Sequence, residues 1–104
     1  MSNKESICTT SDVPEGEIRG YDLSDGTRVA VYKVDGELYA TADLCTHGQS
    51  SLSEEGTLDG KIVECAWHYG AFDVTTGAPC AMPCTVPIRI YPITVSDDKV
   101  YVEF

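Results

Sequence analysis

The chain is patterned as short β-rich runs separated by turn signals, with weak helical periodicity throughout. "RVAVYKV" at 28–34 is followed by Asp35-Gly36 and then by "ELYATA" at 37–42. Asp and Gly tolerate the positive φ that tight hairpin turns require, so this stretch predicts one antiparallel hairpin. "ITV", then "SDD", then "KVYVEF" predicts a second at the C-terminal end. "GKIVECA" at 60–66 and "AFDVTTGAP" at 71–79 supply further strands, and Asp25-Gly26 and Asp59-Gly60 mark further turns. The polar "SSLSEEG" at 50–56 reads as a short helix or an irregular loop. The prediction is an all-β fold with short strands, a sandwich or small barrel. No repeat or linker divides it. The chain therefore reads as a single domain over 1–104, with base sheets at about 1–40 and 86–104 and an inserted segment at about 41–85.

Composition narrows the classes of partner. A chain of 104 residues with 42% hydrophobic content is globular. At that size a domain buries roughly 60–70% of the surface its unfolded chain exposes, enough for a modest core. Seven basic against seventeen acidic residues give a net charge of −10. Such a surface repels nucleic acid and anionic membranes alike. It suits a basic protein partner, or it serves solubility alone. No run approaches the eighteen apolar residues that span a bilayer. The opening "MSNKESICTTSDVPEGE" lacks the basic and apolar regions of a signal peptide, so a cytoplasmic location is expected, where thiols stay reduced. Five cysteines, an odd number, also fit a closed disulfide framework poorly.

The candidate chemistry lies in two short stretches. The chain has two histidines, and each stands beside a cysteine: Cys45-Thr46-His47 and Cys65-Ala66-Trp67-His68. Seventeen residues separate the pairs. Thiolate and neutral imidazole are both good ligands for borderline and soft metals, so two loops offering one of each make a four-ligand site. Four readings compete. Structural zinc normally pairs Cys with Cys and His with His, and the mixed pairs fit this poorly. A Cys–His catalytic pair leaves the second pair unexplained. Chance proximity accounts for one pair better than for two that use every histidine. The fourth reading is a [2Fe–2S] cluster with two histidines on one iron and two cysteines on the other.

The whole stretch "CTHG…CAWHYGAFDVTTG" resembles the Rieske iron–sulfur motif, C-x-H followed about seventeen residues later by C-x-x-H. The likeness runs through "VYKVDGELYATADLCTHG" and "IRIYPITVSDDKVYV" and covers the chain from about Val13 to the end. It is greatest to the small soluble Rieske ferredoxins of multicomponent aromatic-ring dioxygenases. That resemblance implies three stacked antiparallel sheets with a cluster-binding subdomain, about 41–85, at one tip. It implies that Cys45 and Cys65 hold the inner iron and His47 and His68 the outer one. It matches Pro83, in "CAMPC", to a loop that covers the cluster. The implied role is a monomeric one-electron carrier, not itself an enzyme. It would take electrons from a flavin-containing ferredoxin reductase and pass them to a terminal oxygenase in aromatic hydrocarbon catabolism.

Departures from the family's high-potential members refine the expectation. Those proteins carry an additional disulfide where this chain has Ser50 and Trp67, and cluster-facing hydroxyls where it has Gly70 and Phe72. Hydrogen bonds to cluster sulfur stabilise the reduced form, so their absence places the expected potential at the low end of the Rieske range, about −150 mV. Ala66 stands where the ferredoxins commonly have proline. Gly48 and Gly70 let backbone amides approach sulfur, and Trp67 is expected to shield the cluster. Cys80 and Cys84, flanking Pro83, read as small packing residues rather than ligands or a disulfide. Cys8 falls in a first strand, and Asp73 reads by default as part of the core sheet, with a turn-supporting hydrogen bond as the alternative.

Other functions compete. A catalytic oxygenase subunit needs a further 2-His-1-carboxylate iron site, for which no histidines remain. A small Rieske-like subunit of a nitrite or arsenite oxidoreductase is the nearer alternative. The missing export signal opposes the arsenite type and the intact ligand set the nitrite type. A zinc-stabilised binding module is the non-redox alternative, separable by colour.

Overall fold

The computed structural model describes residues 3–44, 51–65, 70–81 and 86–104. Its strands are β1 (Lys4–Thr9), β2 (Ile18–Asp22), β3 (Arg28–Val34), β4 (Glu37–Ala42), β5 (Thr57–Asp59), β6 (Ile62–Glu64), β7 (Ala71–Asp73), β8 (Pro79–Ala81), β9 (Ile90–Tyr91), β10 (Ile93–Ser96) and β11 (Lys99–Glu103). One helical turn, α1 (Leu52–Glu55), precedes β5. The strands pair antiparallel into three sheets, ordered β1-β11-β10, β2-β3-β4-β9 and β5-β6-β7-β8. The all-β expectation holds. Among the described residues no helix is long and apolar enough to cross a membrane.

Strand β3 explains how the sheets stack. Val29, Ala30, Val31 and Tyr32 are all buried, although successive side chains of a strand point to opposite faces. Val29 and Val31 join Val13, Leu23, Ala40, Tyr91 and Val102 in one apolar cluster, which faces the β1-β11-β10 sheet. Ala30 and Tyr32 join Leu52, Val63, Cys65, Phe72, Val74 and Ile88 in another, which faces the β5–β8 sheet. The second sheet is thus the middle layer, and an unbroken apolar run is what a strand covered on both faces requires. Each fully buried Val or Phe contributes about 1.5–3 kcal/mol relative to exposure. The phenol of Tyr32 spends its polarity locally, 2.8 Å from the Thr41 hydroxyl. Burial, partly offset by that hydrogen bond, pushes the Tyr32 pKa well above the ordinary phenol range.

Both predicted hairpins form. Asp35 and Gly36 adopt φ of 52° and 79° between β3 and β4, the paired left-handed residues that match strand twist. The Glu15 carboxylate accepts both of their N–H groups at 2.8 Å, tying the N-terminal segment over this tip. Asp97 and Asp98 make the equivalent turn between β10 and β11, with φ of 51° and 64°. The segment read as helix or loop is α1. Ser51 caps it, its side chain accepting the Glu54 N–H, and Leu52 anchors it in the core. Gly20 lets this turn approach β2, because a Cβ there would strike the Ser53 side chain and lie 2.5 Å from the Arg28 guanidinium.

Candidate metal centre

The described residues that flank the two Cys/His segments form two well-defined necks. Cys45, His47 and His68 lie outside the described residues, as do Gly48, Ser50, Ala66, Trp67, Pro83 and Cys84. Of the four predicted ligands, the structure places Cys65, and it places both ends of each loop that carries the others.

The first neck is polar. Leu44 and Ser51 form an isolated antiparallel bridge that closes the segment 45–50. The Leu52 N–H donates to the Asp43 carbonyl at 2.8 Å, and the Asp43 N–H to the Arg28 carbonyl at 3.2 Å, so the neck continues the β3–β4 ladder. The Asp43 side chain is 2% exposed, an unusual place for a carboxylate. Its two oxygens are occupied. Oδ2 accepts the Ser51 hydroxyl at 2.6 Å, and Oδ1 accepts the Ser53 N–H at 2.9 Å. Arg28 Nε lies 3.4 Å from Oδ2 and supplies the counter-charge, while Arg28 Nη1 reaches out to Asp22 at 3.2 Å. Full pairing is what makes a buried carboxylate tolerable.

The second neck is apolar. The Cys65 N–H donates to the Gly70 carbonyl at 2.6 Å, one step beyond the Glu64–Ala71 pair of the β6–β7 ladder. Cys65 is fully buried in the apolar cluster with Val63 and Phe72. The Cys65–Gly70 hydrogen bond therefore closes this neck, and Cys65 on its near side is a sheltered thiol. Gly70 is buried at the neck, and the Phe72 ring fills the core instead of offering a hydroxyl.

The chain that follows residues 82–85 is tied down at Ile88. The Ile88 N–H donates to the Gly77 carbonyl at 2.9 Å, and the Gly77 N–H to the Asp73 carbonyl at 2.7 Å. Gly77 is required twice: its φ is +81°, and a Cβ would collide with the Ile88 carbonyl. Asp73 ends β7, in line with its core-sheet reading, and it also supports this turn. Its carboxylate accepts the Thr75 N–H at 2.9 Å and the Thr75 hydroxyl, with Lys61 Nζ at 3.3 Å. Burial pushes the Asp73 carboxyl up, but the Thr75 hydrogen bonds and the Lys61 ammonium outweigh it and hold the group below the usual carboxylate range. Leu52, Cys65 and Ile88 share one cluster, so residues beside all three segments meet in the same buried core.

The other cysteines separate. Cys8 lies in β1 as expected, half-buried. Burial and Asp12 push its thiol up against the lowering effect of the Tyr21 hydrogen bond. Cys80 does not fit its packing assignment. It is exposed, because β8 is the edge of its sheet, and its Sγ lies 3.5 Å from the Ala78 carbonyl. Among the described residues no three His, Cys, Asp or Glu side chains converge as a metal would need. The exposed large apolar residues include Leu44 and Val86, each 57% exposed and each beside one of the three segments. Sequence reasoning passed over Asp43, Ser51 and Arg28. The available signal was an acidic residue two before Cys45, together with the Ser51-Leu52-Ser53-Glu54 pattern of a helix start.

Residues 3–92 match the sequence profile described as the Rieske [2Fe-2S] domain. The chain is 52% identical over 103 residues to the ferredoxin component of the p-cumate 2,3-dioxygenase system of Pseudomonas putida, covering 99% of this chain and 87% of that protein. It superposes on the Sphingomonas yanoikuyae B1 ferredoxin with a TM-score of 0.92 at 42% identity, covering 98% of this chain and 99% of the other. A chain in the complex of reduced oxygenase and oxidized ferredoxin in carbazole 1,9a-dioxygenase matches with a TM-score of 0.90 at 46% identity, covering 95% and 91% of the two chains.

Proposed function

The chain belongs to the Rieske [2Fe-2S] domain family, and from that membership we propose that it is the electron-carrying ferredoxin of an aromatic-ring dioxygenase system. It carries electrons and performs no substrate chemistry of its own. The reading has it act as one domain in the cytoplasm, as a monomer, with the segment 41–85 bearing the cluster. Cys45 and Cys65 hold the inner iron, and His47 and His68 the outer one. The observation that carries this assignment is the fully buried Cys65 at a backbone-closed neck, where the sequence goes on to complete C-x-x-H. A sheltered thiolate on the core side, with imidazole three residues on at the loop, fits a mixed Cys₂His₂ donor set.

When bound, the cluster supplies a reversible one-electron change, made easier by two neutral imidazoles in place of two thiolates. The protein's residues set the terms. Val63 and Phe72 keep water from the Cys65 side. Phe72 and Gly70 offer no side-chain hydroxyl, which supports a potential near the low end of the Rieske range, about −150 mV. Leu44 and Val86 give the loop end apolar surface, and the net charge of −10 draws basic faces of partners toward the molecule. The partners we assign are a flavoprotein reductase as donor and a terminal oxygenase as acceptor. The complex of reduced oxygenase and oxidized ferredoxin in carbazole 1,9a-dioxygenase, which contains a chain similar to this one, supports the second.

The test is direct. Aerobically purified protein should be red-brown and give a Rieske-type EPR signal after dithionite reduction. A colourless protein carrying zinc would overturn the reading. A redox titration with a strongly positive midpoint would overturn the low potential alone. Transfer rates to an oxygenase that do not fall with rising salt would remove the charge steering.

A further inference from the structure

We propose that Asp43 is a positioning residue for the first ligand loop, acting through Ser51. The inference rests on the assignment of Cys45 and His47 as ligands. The segment 45–50 is closed by a single bridge, Leu44 with Ser51, where the second neck continues a three-pair β ladder. One isolated bridge does not fix a loop's exit directions well. The Asp43 carboxylate adds what the bridge lacks. It reaches across the neck from the entering strand and takes hydrogen bonds from Ser51 and Ser53 on the departing one, at 2.6 and 2.9 Å. Both departing residues are thereby fixed to the residue two before Cys45.

The carboxylate is held in turn. Arg28 Nε stands 3.4 Å from Oδ2, and Arg28 carries this link back to β3 and on to Asp22. The Asp43 side chain is 2% exposed, so its oxygens are turned away from water toward these partners. Asn in its place preserves shape but turns one acceptor into a donor. That donor must face either the Ser53 N–H or the Arg28–Ser51 pair, and one side of the neck is left unsatisfied. Asp22 and Glu54 are the other carboxylates that act on Arg28. Both sit on the exposed side of Arg28 or α1, and neither replaces the cross-neck contact. Residues behind first ligands typically affect metal retention through orientation, and their loss costs about 10–100-fold in affinity.

The experiment uses the cluster-loaded protein and follows loss of cluster absorbance under an iron chelator, with EPR line shape as a second readout. Asp43→Asn and Ser51→Ala should release the cluster about tenfold faster or more and broaden the EPR signal. Ser51→Thr, which keeps the hydroxyl, should stay within about twofold of the parent. Tyr32→Phe serves as the control, because the Tyr32 hydroxyl is also buried and hydrogen-bonded, to Thr41, but stands at none of the necks. If Asp43→Asn does not fold, Ser51→Ala against Ser51→Thr decides alone. Release from Ser51→Ala no faster than from Ser51→Thr, or from the neck variants no faster than from Tyr32→Phe, overturns the role. A parent protein with no Rieske EPR signal would instead remove the ligand assignment, which keeps the two failures distinct.

Discussion

The two necks solve the same problem with opposite chemistry. At the first, a buried carboxylate, two hydroxyl-bearing residues and an arginine tie the strands that bracket 45–50. At the second, a β ladder and an apolar core hold the strands that bracket 66–69, with Cys65 itself part of that core. The difference follows from what each neck has to lean on. The second is flanked by two paired strands of its own sheet. The first departs from the end of β4 into a single helical turn, where few ladder bonds are available and side chains must supply the closure. A ladder-and-core neck draws its strength from global packing, and a hydrogen-bonded neck from local geometry. Substitutions should therefore separate: at the second neck they lower whole-protein stability, and at the first they disturb the loop first.

The largest effect is expected from Phe72→Ala. Emptying a fully buried aromatic site beside Cys65 should cost about 3–5 kcal/mol, read from urea unfolding, and a loss under about 1 kcal/mol would break the contrast. Gly77→Ala comes next, because it combines a left-handed backbone with a clash against the Ile88 carbonyl. It should cost about 1–3 kcal/mol, whereas Gly26→Ala, with a positive φ but open space, should cost less. Gly20→Ala probes the polar side. Its Cβ would press on Ser53 and Arg28, and it should cost about 1–3 kcal/mol and hasten cluster release more than Gly77→Ala does. An equal effect of both on release would erase the distinction between the necks.

The smallest effect concerns pH. Asp73 is held below the usual carboxylate range in the folded state, so its contribution is fully present above the unfolded-state pKa, near 4. It is lost as pH falls through the lower folded value. Acid unfolding of Asp73→Asn should then show a shallower loss of stability below about pH 4 than the parent shows. A parallel slope would place the Asp73 carboxyl at its ordinary value.

Much of this arrangement was legible because it is local. A turn such as Asp35-Gly36 announces itself in two residues, and the four candidate ligands stand out by type and spacing within two short stretches. The three-layer stacking came from the family resemblance, although the unbroken Val29–Tyr32 run carried the physical reason for a middle sheet. What stayed hidden is what depends on register. Arg28 meets Asp43 only because β3 and β4 pair as they do, and Gly20 matters only because α1 lands on β2. Nothing in the neighbouring sequence of either residue reveals its partner. Cys80 misled for a similar reason: cysteine is usually buried, but exposure at β8 is decided by which strand ends the sheet.

The double coverage of β3 has a consequence for how the molecule opens. One strand supplies Val29 and Val31 to one apolar cluster and Ala30 and Tyr32 to the other. Neither cluster can be exposed without uncovering a face of that strand, and its main-chain partners on both sides are β2 and β4. The amide protons of Val29–Tyr32 are accordingly expected to be the last in the protein to exchange with deuterated solvent, released only when the whole chain unfolds.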